Sequence, residues 1–181
     1  MDTEFEIKVL DIDLGKTQSL LRDLGFTEQS SLEFKRYIYP VKSNNRSWLR
    51  LRTDGKKTTL SVKEYTSDKV DGVKELEVVV SGFEQTHLLL QKLGHTSDSY
   101  QENHRTVFIS KKYDAEISID EWPHIPAYLE IEAKDKKTVN ELLAKINTHS
   151  LPTTSAPTKD VYMHYGLKLD DYKSLSFKKS V

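Results

Sequence analysis

The amino-acid sequence predicts an α+β fold, a closed eight-stranded antiparallel β-barrel with helices packed against its outside. Eight strand-like segments are separated by turn signals such as Asp54-Gly55, and this count suits a closed antiparallel barrel. Three further segments carry apolar residues at helical spacing. Within the predicted strands, charged residues share one face and apolar residues share the other.

The first predicted strand shows the alternation of charged and apolar residues most clearly. In the first strand, Glu4, Glu6 and Lys8 are charged, whereas the residues between them are apolar. Similar paired acids recur at Glu75-Leu76-Glu77 and Glu130-Ile131-Glu132. The eight strands are expected at about 3–10, 32–40, 47–53, 57–65, 74–80, 102–110, 115–121 and 127–133.

Amphipathic helices are predicted near 16–24, 83–93 and 137–147, where apolar residues recur at helical spacing. A fourth, short helix at about 159–166 follows a Pro/Thr/Ser-rich linker at 151–158. Residues 167–181 are expected to form a tail that is frayed from 173 onward. The length is that of one domain, 1–181, with room for a sizeable core.

The three strands with paired carboxylates are each followed by an amphipathic helix. We therefore expect the apolar strand faces to point outward beneath helices and the charged faces to point into the barrel. The charged residues placed inside by this argument are Glu4, Glu6, Lys8, Arg50, Arg52, Lys63, Glu75, Glu77, Asp120, Glu130 and Glu132.

Such a charged interior requires partners, because burying unpaired ions costs several kcal/mol each. Clustered Asp and Glu without cysteine favour a hard divalent cation such as Mg²⁺ or Mn²⁺. Arg50 and Arg52, two residues apart on one strand, present forked donors suited to phosphate oxygens. The alternative is a sheet whose charged face meets water and carries cross-strand ion pairs. Periodicity alone leaves both interpretations open.

Composition excludes several function classes. The formal net charge is −1, so bulk electrostatics does not indicate nucleic-acid binding. The absence of cysteine excludes disulfides, thiolate zinc sites and a cysteine nucleophile. No segment approaches the ~18 apolar residues of a membrane span, and no signal peptide is recognisable. We expect a cytoplasmic protein without a membrane partner, either a monomer or a homodimer.

The order of the motifs resembles that of the CYTH superfamily, the triphosphate tunnel metalloenzymes, from Glu4 to about Gly166. This superfamily includes class IV adenylyl cyclases, thiamine triphosphatases and inorganic tripolyphosphatases. The opening Glu4-x-Glu6-x-Lys8 is similar to its ExExK signature. The motifs that follow in the family's order are 49–52 (Leu-Arg-Leu-Arg), 62–63 (Val-Lys), Glu75-x-Glu77, Arg105, 118–120 (Ser-Ile-Asp) and 130–132 (Glu-Ile-Glu).

The resemblance implies roles for individual residues in a triphosphate tunnel. The implied divalent-metal ligands, for Mg²⁺ or Mn²⁺, are Glu4, Glu6, Asp120, Glu130 and Glu132. The implied substrate-binding residues are Lys8, Arg50, Arg52, Lys63, Arg105 and Lys159, and the implied catalytic residues are Glu77, Lys63 and Arg52. One departure is Asn103, which stands where many relatives carry a lysine two residues before the arginine at 105.

Three functions follow as hypotheses from this resemblance. The first is metal-dependent hydrolysis of inorganic tripolyphosphate or of an organic or nucleoside triphosphate at its terminal phosphate. The second is an adenylyl cyclase that converts ATP to cyclic AMP and pyrophosphate. The third is a non-catalytic module that binds a polyphosphate or nucleotide. Trp48 is either a packing residue of its strand or a platform for the organic part of a substrate.

Overall fold

The computed structural model describes residues 2–41, 46–147 and 149–177. Ten strands and four α-helices are present within these residues. The strands are β1 (Asp2–Val9), β2 (Thr27–Pro40), β3 (Ser47–Thr53), β4 (Thr58–Tyr65), β5 (Val73–Val80), β6 (Ser99–Ser110), β7 (Ala115–Glu121), β8 (Tyr128–Ala133), β9 (Thr153–Thr154) and β10 (Ser174–Leu175). The helices are α1 (Leu14–Asp23), α2 (Phe83–Lys92), α3 (Lys136–Ile146) and α4 (Thr158–His164).

Strands β1 to β8 form a closed antiparallel barrel, which confirms the predicted fold class. Their order around the barrel is β6-β2-β3-β4-β5-β1-β8-β7, and pairing of β6 with β7 closes the ring. β2 begins five residues before the predicted position 32, because its polar first residues are held by pairing with β6 and not by an apolar face. The pairing shifts register between Glu28 and Ser30, as expected for a β-bulge.

The main core lies between the barrel and helices α1 and α3. Apolar residues at odd positions of β1, β7 and β8, among them Ile7, Ile117 and Ile131, point outward and pack with Leu142 of α3 and Leu21 of α1. Each helix begins at an aspartate cap, because Asp13 accepts from the amide of Lys16 and Asp135 accepts from that of Thr138. This packing turns the charged faces of the same strands into the barrel.

The outward face of β5 does not follow this rule. Its residues Leu76 and Val78 are 55% and 51% exposed, so the expectation that a helix covers every apolar strand face is wrong here. Helix α2 follows β5 in sequence but packs against β3, where Leu90 contacts a cluster containing Tyr39 and Leu51.

The C-terminal segment packs against one end of the barrel. Within the predicted linker, β9 pairs with β1, and Ser155 is buried and donates to the carbonyl of Glu6. The expectation of a frayed tail from 173 is wrong as far as 177, because β10 pairs with β6 and Leu175 is 1% exposed. Residues 178–181 lie outside the described residues. Within the described residues, no helix has the length and apolar character needed to cross a membrane.

Candidate active site: a charged tunnel

The interior of the barrel is a cavity of about 920 Å³. Alternation along the strands directs charged side chains into it from all eight barrel strands, as alternation in the sequence predicted for six of them. All of the predicted site residues line this cavity, namely Glu4, Glu6, Lys8, Arg50, Arg52, Lys63, Glu77, Arg105, Asp120, Glu130, Glu132 and Lys159.

Opposite charges face one another across the tunnel. The inner faces of β1 and β8 carry Glu4, Glu6, Glu130 and Glu132, which we call the acidic wall. The inner faces of β2 and β3 carry Arg36, Arg50 and Arg52, which we call the arginine wall. In the ring of eight strands, β1 lies four positions from β2 and β8 lies four positions from β3, so the two walls are on opposite sides.

The acidic wall contains carboxylates in direct cross-strand register. Glu132 of β8 is the register partner of Glu6 on one side and of Glu116 on the other. Burial, followed by the charges of Glu130 and Glu6, raises the pKa of Glu132 to about 7. Burial and a hydrogen bond with Glu75 raise the pKa of Glu4 to about 8. Some carboxyl groups of the acidic wall therefore stay protonated near neutral pH unless a bound cation offsets their mutual repulsion.

Two lysines partly neutralise the acids. Lys8 Nζ lies 2.8 Å from Glu6 Oε1 and 3.2 Å from Glu130 Oε2. Lys63 Nζ lies 2.8 Å from Glu4 Oε2 and 3.2 Å from Glu75 Oε2. Burial alone would raise the pKa of Glu130, but the charges of Lys8 and of the nearby arginine hold it well below its ordinary value.

Arg105 of β6 forms ion pairs with acids on two neighbouring strands, Asp120 of β7 and Glu130 of β8. Its Nε donates to Asp120 Oδ1 at 2.8 Å, its Nη2 donates to Asp120 Oδ2 at 2.6 Å, and Nη2 also donates to Glu130 Oε1 at 3.0 Å. Asp120 is 1% exposed, so this bidentate pair satisfies a carboxylate that water does not reach.

The arginine wall is less well paired. Arg50 Nη2 donates to Glu75 Oε1 at 2.8 Å. Arg52 lies 3.7 Å from Glu77 Oε2, and its guanidinium is 4.6 Å from the centre of the Phe34 ring. Burial, followed by the charge of Arg50, lowers the pKa of Arg52 to about 10.

On the barrel strands, sequence reasoning missed two charged residues that line the tunnel. Arg36 lies on the inner face of β2 with Ile38 and with Phe34, whose ring lies against the Arg52 guanidinium, so charged residues do not alternate with apolar ones on this strand. Glu116 lies on the inner face of β7, and its spacing of four from Asp120 was the signal that could have identified it.

Lys159 and Trp48 lie near one mouth of the tunnel. Lys159 is the second residue of α4, its side chain is 53% exposed, and its amine is paired with Asp170. Trp48 shares the inner face of β3 with the two arginines of that strand and lines the cavity. The structure thus places Trp48 on the tunnel side of its strand and not in the outer packing layer.

The donor set of the acidic wall is suited to a hard divalent cation. Among residues 2–41, 46–147 and 149–177, no three acidic or histidine side chains are already gathered as a metal-binding group. Nevertheless, Glu6, Glu132 and Glu116 form a continuous row of carboxylates across three strands. Carboxylate oxygens without cysteine are the ligands that Mg²⁺ and Mn²⁺ prefer. The chemistry of the residues therefore fits such an ion.

Comparisons with known proteins agree with this geometry. The model of the CYTH domain family matches residues 2–161. No curated protein sequence is significantly similar to the chain. The protein PH1012 from Pyrococcus horikoshii OT3 has 18% identity and a TM-score of 0.67, covering 97% of this chain and 96% of that one.

Two further solved structures share the fold. A conserved hypothetical protein from Pyrococcus furiosus has 20% identity and a TM-score of 0.65, covering 98% of this chain and 97% of that one. A protein from Hippeastrum, described as a candidate adenylyl cyclase with a dominant triphosphatase activity, has 16% identity and a TM-score of 0.60. The coverage is 93% of this chain and 98% of the Hippeastrum chain.

Proposed function

Because this chain belongs to the CYTH domain family, whose members are triphosphatases or adenylyl cyclases, we propose that it is a divalent-metal-dependent triphosphatase. The substrate is inorganic tripolyphosphate or an organic or nucleoside triphosphate, cleaved at its terminal phosphate. The observation that carries this proposal is the opposition of the acidic wall and the arginine wall across one cavity.

The arginine wall and the tunnel lysines would bind the phosphate chain. Arg50, Arg52 and Arg105 offer forked donors that match phosphate oxygens, while Lys8 and Lys63 add compact charges. All five are largely buried, so their attraction to an anion is weakly screened by solvent. Lys159 at the mouth would add a contact after release from Asp170.

Mg²⁺ or Mn²⁺ would be held by carboxylates of the tunnel. The proposed ligands are Glu4, Glu6, Asp120, Glu130 and Glu132. Such an ion neutralises charge on phosphate oxygens and lowers the pKa of bound water.

Hydrolysis requires that water attack the terminal phosphorus while the bond to the bridging oxygen breaks and diphosphate leaves. Glu77 is the candidate to orient the water and accept its proton, because 30% of its side chain is exposed to solvent. Its Oε2 lies 3.6 Å from Arg50 and 3.7 Å from Arg52, so it adjoins the groups that would hold the phosphates. Arg52 and Lys63 would stabilise the charge that develops in the transition state.

The same tunnel could serve a cyclase, in which the ribose 3′-hydroxyl of ATP attacks the α-phosphate. We place hydrolysis first because charged groups suited to phosphates line the tunnel on every strand, whereas two of the four aromatic residues that line it among the described residues, Trp122 and Tyr128, are buried. The third candidate function is a non-catalytic module, in which the same charged residues bind a polyphosphate or nucleotide without hydrolysing it.

Phosphorus NMR separates these functions. The protein is incubated with Mg²⁺ or Mn²⁺ and, in parallel, with tripolyphosphate, ATP and thiamine triphosphate. Orthophosphate with a diphosphate product supports the triphosphatase. Pyrophosphate with cyclic AMP from ATP identifies a cyclase, and unchanged spectra with all three substrates contradict both enzymes. The Glu77→Gln variant controls for a contaminating phosphatase, since it should lose the activity.

A further inference from the structure

Arg36 differs from the other bases of the tunnel. Lys8, Arg50, Arg52, Lys63 and Arg105 each have a carboxylate within 4.0 Å. Arg36 is 8% exposed, and within the described part of the chain it has no carboxylate at ion-pair distance. A buried guanidinium without a counter-ion is costly, because desolvation is not repaid by Coulomb attraction.

The position of Arg36 in the sheet increases this cost. Arg36 and Arg52 are direct register partners on β2 and β3, and like charges directly opposite one another destabilise a sheet. Burial, followed by the charges of Arg50 and Arg52, lowers the pKa of Arg36 well below its ordinary value. The tunnel therefore concentrates positive charge at Arg36 and Arg52, and a bound anion would offset it.

Neighbouring groups hold the guanidinium in place without neutralising it. Its Nη2 donates to Asn103 Oδ1, and Asn103 Nδ2 donates in turn to Asp120 Oδ1 at 3.0 Å. The guanidinium also lies over the Trp122 ring, 4.6 Å from its centroid. An amide at 103 can accept from one side and donate to the other, which a lysine could not do.

Several donors near Arg36 have no acceptor. The Nε atoms of Arg36 and Arg50 and the indole Nε1 of Trp122 are buried and, among the described residues, make no hydrogen bond. All three residues line the tunnel. Buried donors are normally satisfied, so this group is complementary to an oxygen-rich anion.

We propose that Arg36 is a further substrate-binding residue, which binds non-bridging phosphate oxygens together with Arg50 and Arg52, and that Asn103 is its positioning residue. This inference rests on the proposed function, because the anion is the polyphosphate chain of the substrate. It extends the phosphate-binding surface from β3 onto β2 and accounts for the lack of a carboxylate partner at Arg36.

The test uses the Arg36→Gln variant and equilibrium binding of inorganic tripolyphosphate, measured by calorimetry with Ca²⁺ in place of Mg²⁺. Loss of charge-assisted hydrogen bonds should weaken binding by about 10- to 100-fold. The Arg36→Lys variant should recover part of the affinity. The matched control is Lys35→Gln, which removes an exposed charge on the outer face of the same strand and should leave the affinity unchanged.

Thermal unfolding without ligand separates binding from a structural role. Because Arg36 faces another arginine and has no carboxylate partner, Arg36→Gln should have a Tm equal to or above that of the wild type. A lower Tm or a failure to fold would overturn the inference, as would unchanged affinity in Arg36→Gln while the wild type binds tripolyphosphate. A wild type that binds no tripolyphosphate would overturn the proposed function as well.

Discussion

Glu6 and Glu132 are register partners on neighbouring strands of the barrel, so two acids that both line the tunnel stand side by side on one wall. When both are ionised they repel one another, and Glu116 on the next strand adds a third charge to the row. This arrangement is unfavourable in the ligand-free protein and favourable around a cation. The predictions on pH and metal binding follow from it.

The ligand-free protein should lose stability as the pH rises from about 4.5 to about 7. The pKa of Glu132 is raised from 4.5 to about 7 in the fold, so the folded state binds more protons and the free energy of unfolding falls between these values. We expect Glu132→Gln to be more stable than the wild type by on the order of 2 kcal/mol near pH 8 and equally stable near pH 4. Urea denaturation of both proteins at both pH values measures the difference in their free energy of unfolding. The same difference at pH 4 and pH 8 would contradict the prediction.

Divalent metal should stabilise the wild type more than the variants of the acidic wall. At a pH where the wall is ionised, Mg²⁺ or Mn²⁺ should raise the Tm of the wild type, and chelation should reverse the shift and abolish phosphate release. Glu6→Gln and Glu132→Gln should show a smaller shift. Glu141→Gln, which changes an exposed acid on α3, is the control. Identical metal-induced shifts in all four proteins would argue against a site on this wall.

Removing Arg105 should destabilise the fold. Arg105→Gln leaves the buried Asp120 without its ion-pair partner and leaves Glu130 with Lys8 as its remaining partner, and breaking a buried pair in this way costs roughly 3–5 kcal/mol. Urea denaturation of the ligand-free protein gives the difference. The control is Arg22→Gln, because its pairing with Glu28 spans 3.8 Å on the surface and should contribute about 0–1 kcal/mol. Comparable losses in the two variants would refute the argument.

Lys159 and Asp170 should have opposite effects on substrate binding. Lys159 is paired with Asp170, so Asp170→Asn should free the lysine and lower the KM for tripolyphosphate. Lys159→Ala should raise the KM by about 3- to 10-fold, the equivalent of one partly exposed ionic contact. Both variants should keep the wild-type Tm. If Lys159→Ala leaves the KM unchanged, this lysine has no part in binding.

Trp48 should affect organic substrates more than inorganic ones. Its ring lines the tunnel near the mouth, where it could stack on a base or another ring, and such stacking contributes about 1–3 kcal/mol. Trp48→Ala should therefore raise the KM for ATP or thiamine triphosphate and leave that for tripolyphosphate unchanged, while Trp48→Phe retains most of the effect. An equal change for all three substrates, or none, would remove the stacking role.

Alternation of charge was sufficient to predict most of the tunnel from the sequence. Charged and apolar residues alternate over 4–9 of β1, 49–52 of β3 and 129–133 of β8, so each of these strands identifies its own inner face. On β2 the inward residues include Phe34, Arg36 and Ile38, and tyrosines occupy the outward face, so both faces are mixed. Arg36 could be assigned only once the pairing of β2 with β3 was known.

Helix placement could not be predicted in the same way. Sequence order suggested that α2 would cover β5. Instead, Leu90 of α2 packs against apolar side chains of β2 and β3, and Leu76 of β5 remains exposed. The docking of 173–177 was also missed. This segment is held by the pairing of two residues with β6 and by one buried leucine. A single apolar residue in the sequence does not distinguish a docked tail from a disordered one.

The placement of β1 between β5 and β8 has a consequence for how the protein is made. Glu4 and Lys63 are 59 residues apart in sequence, and Arg36 and Asn103 are 67 apart, so contacts inside the tunnel join distant parts of the chain. A nascent chain cannot complete the ring before β8 has left the ribosome. Such long-range pairings form slowly, and an anion that binds only the closed ring would stabilise the folded chain once the ring has formed.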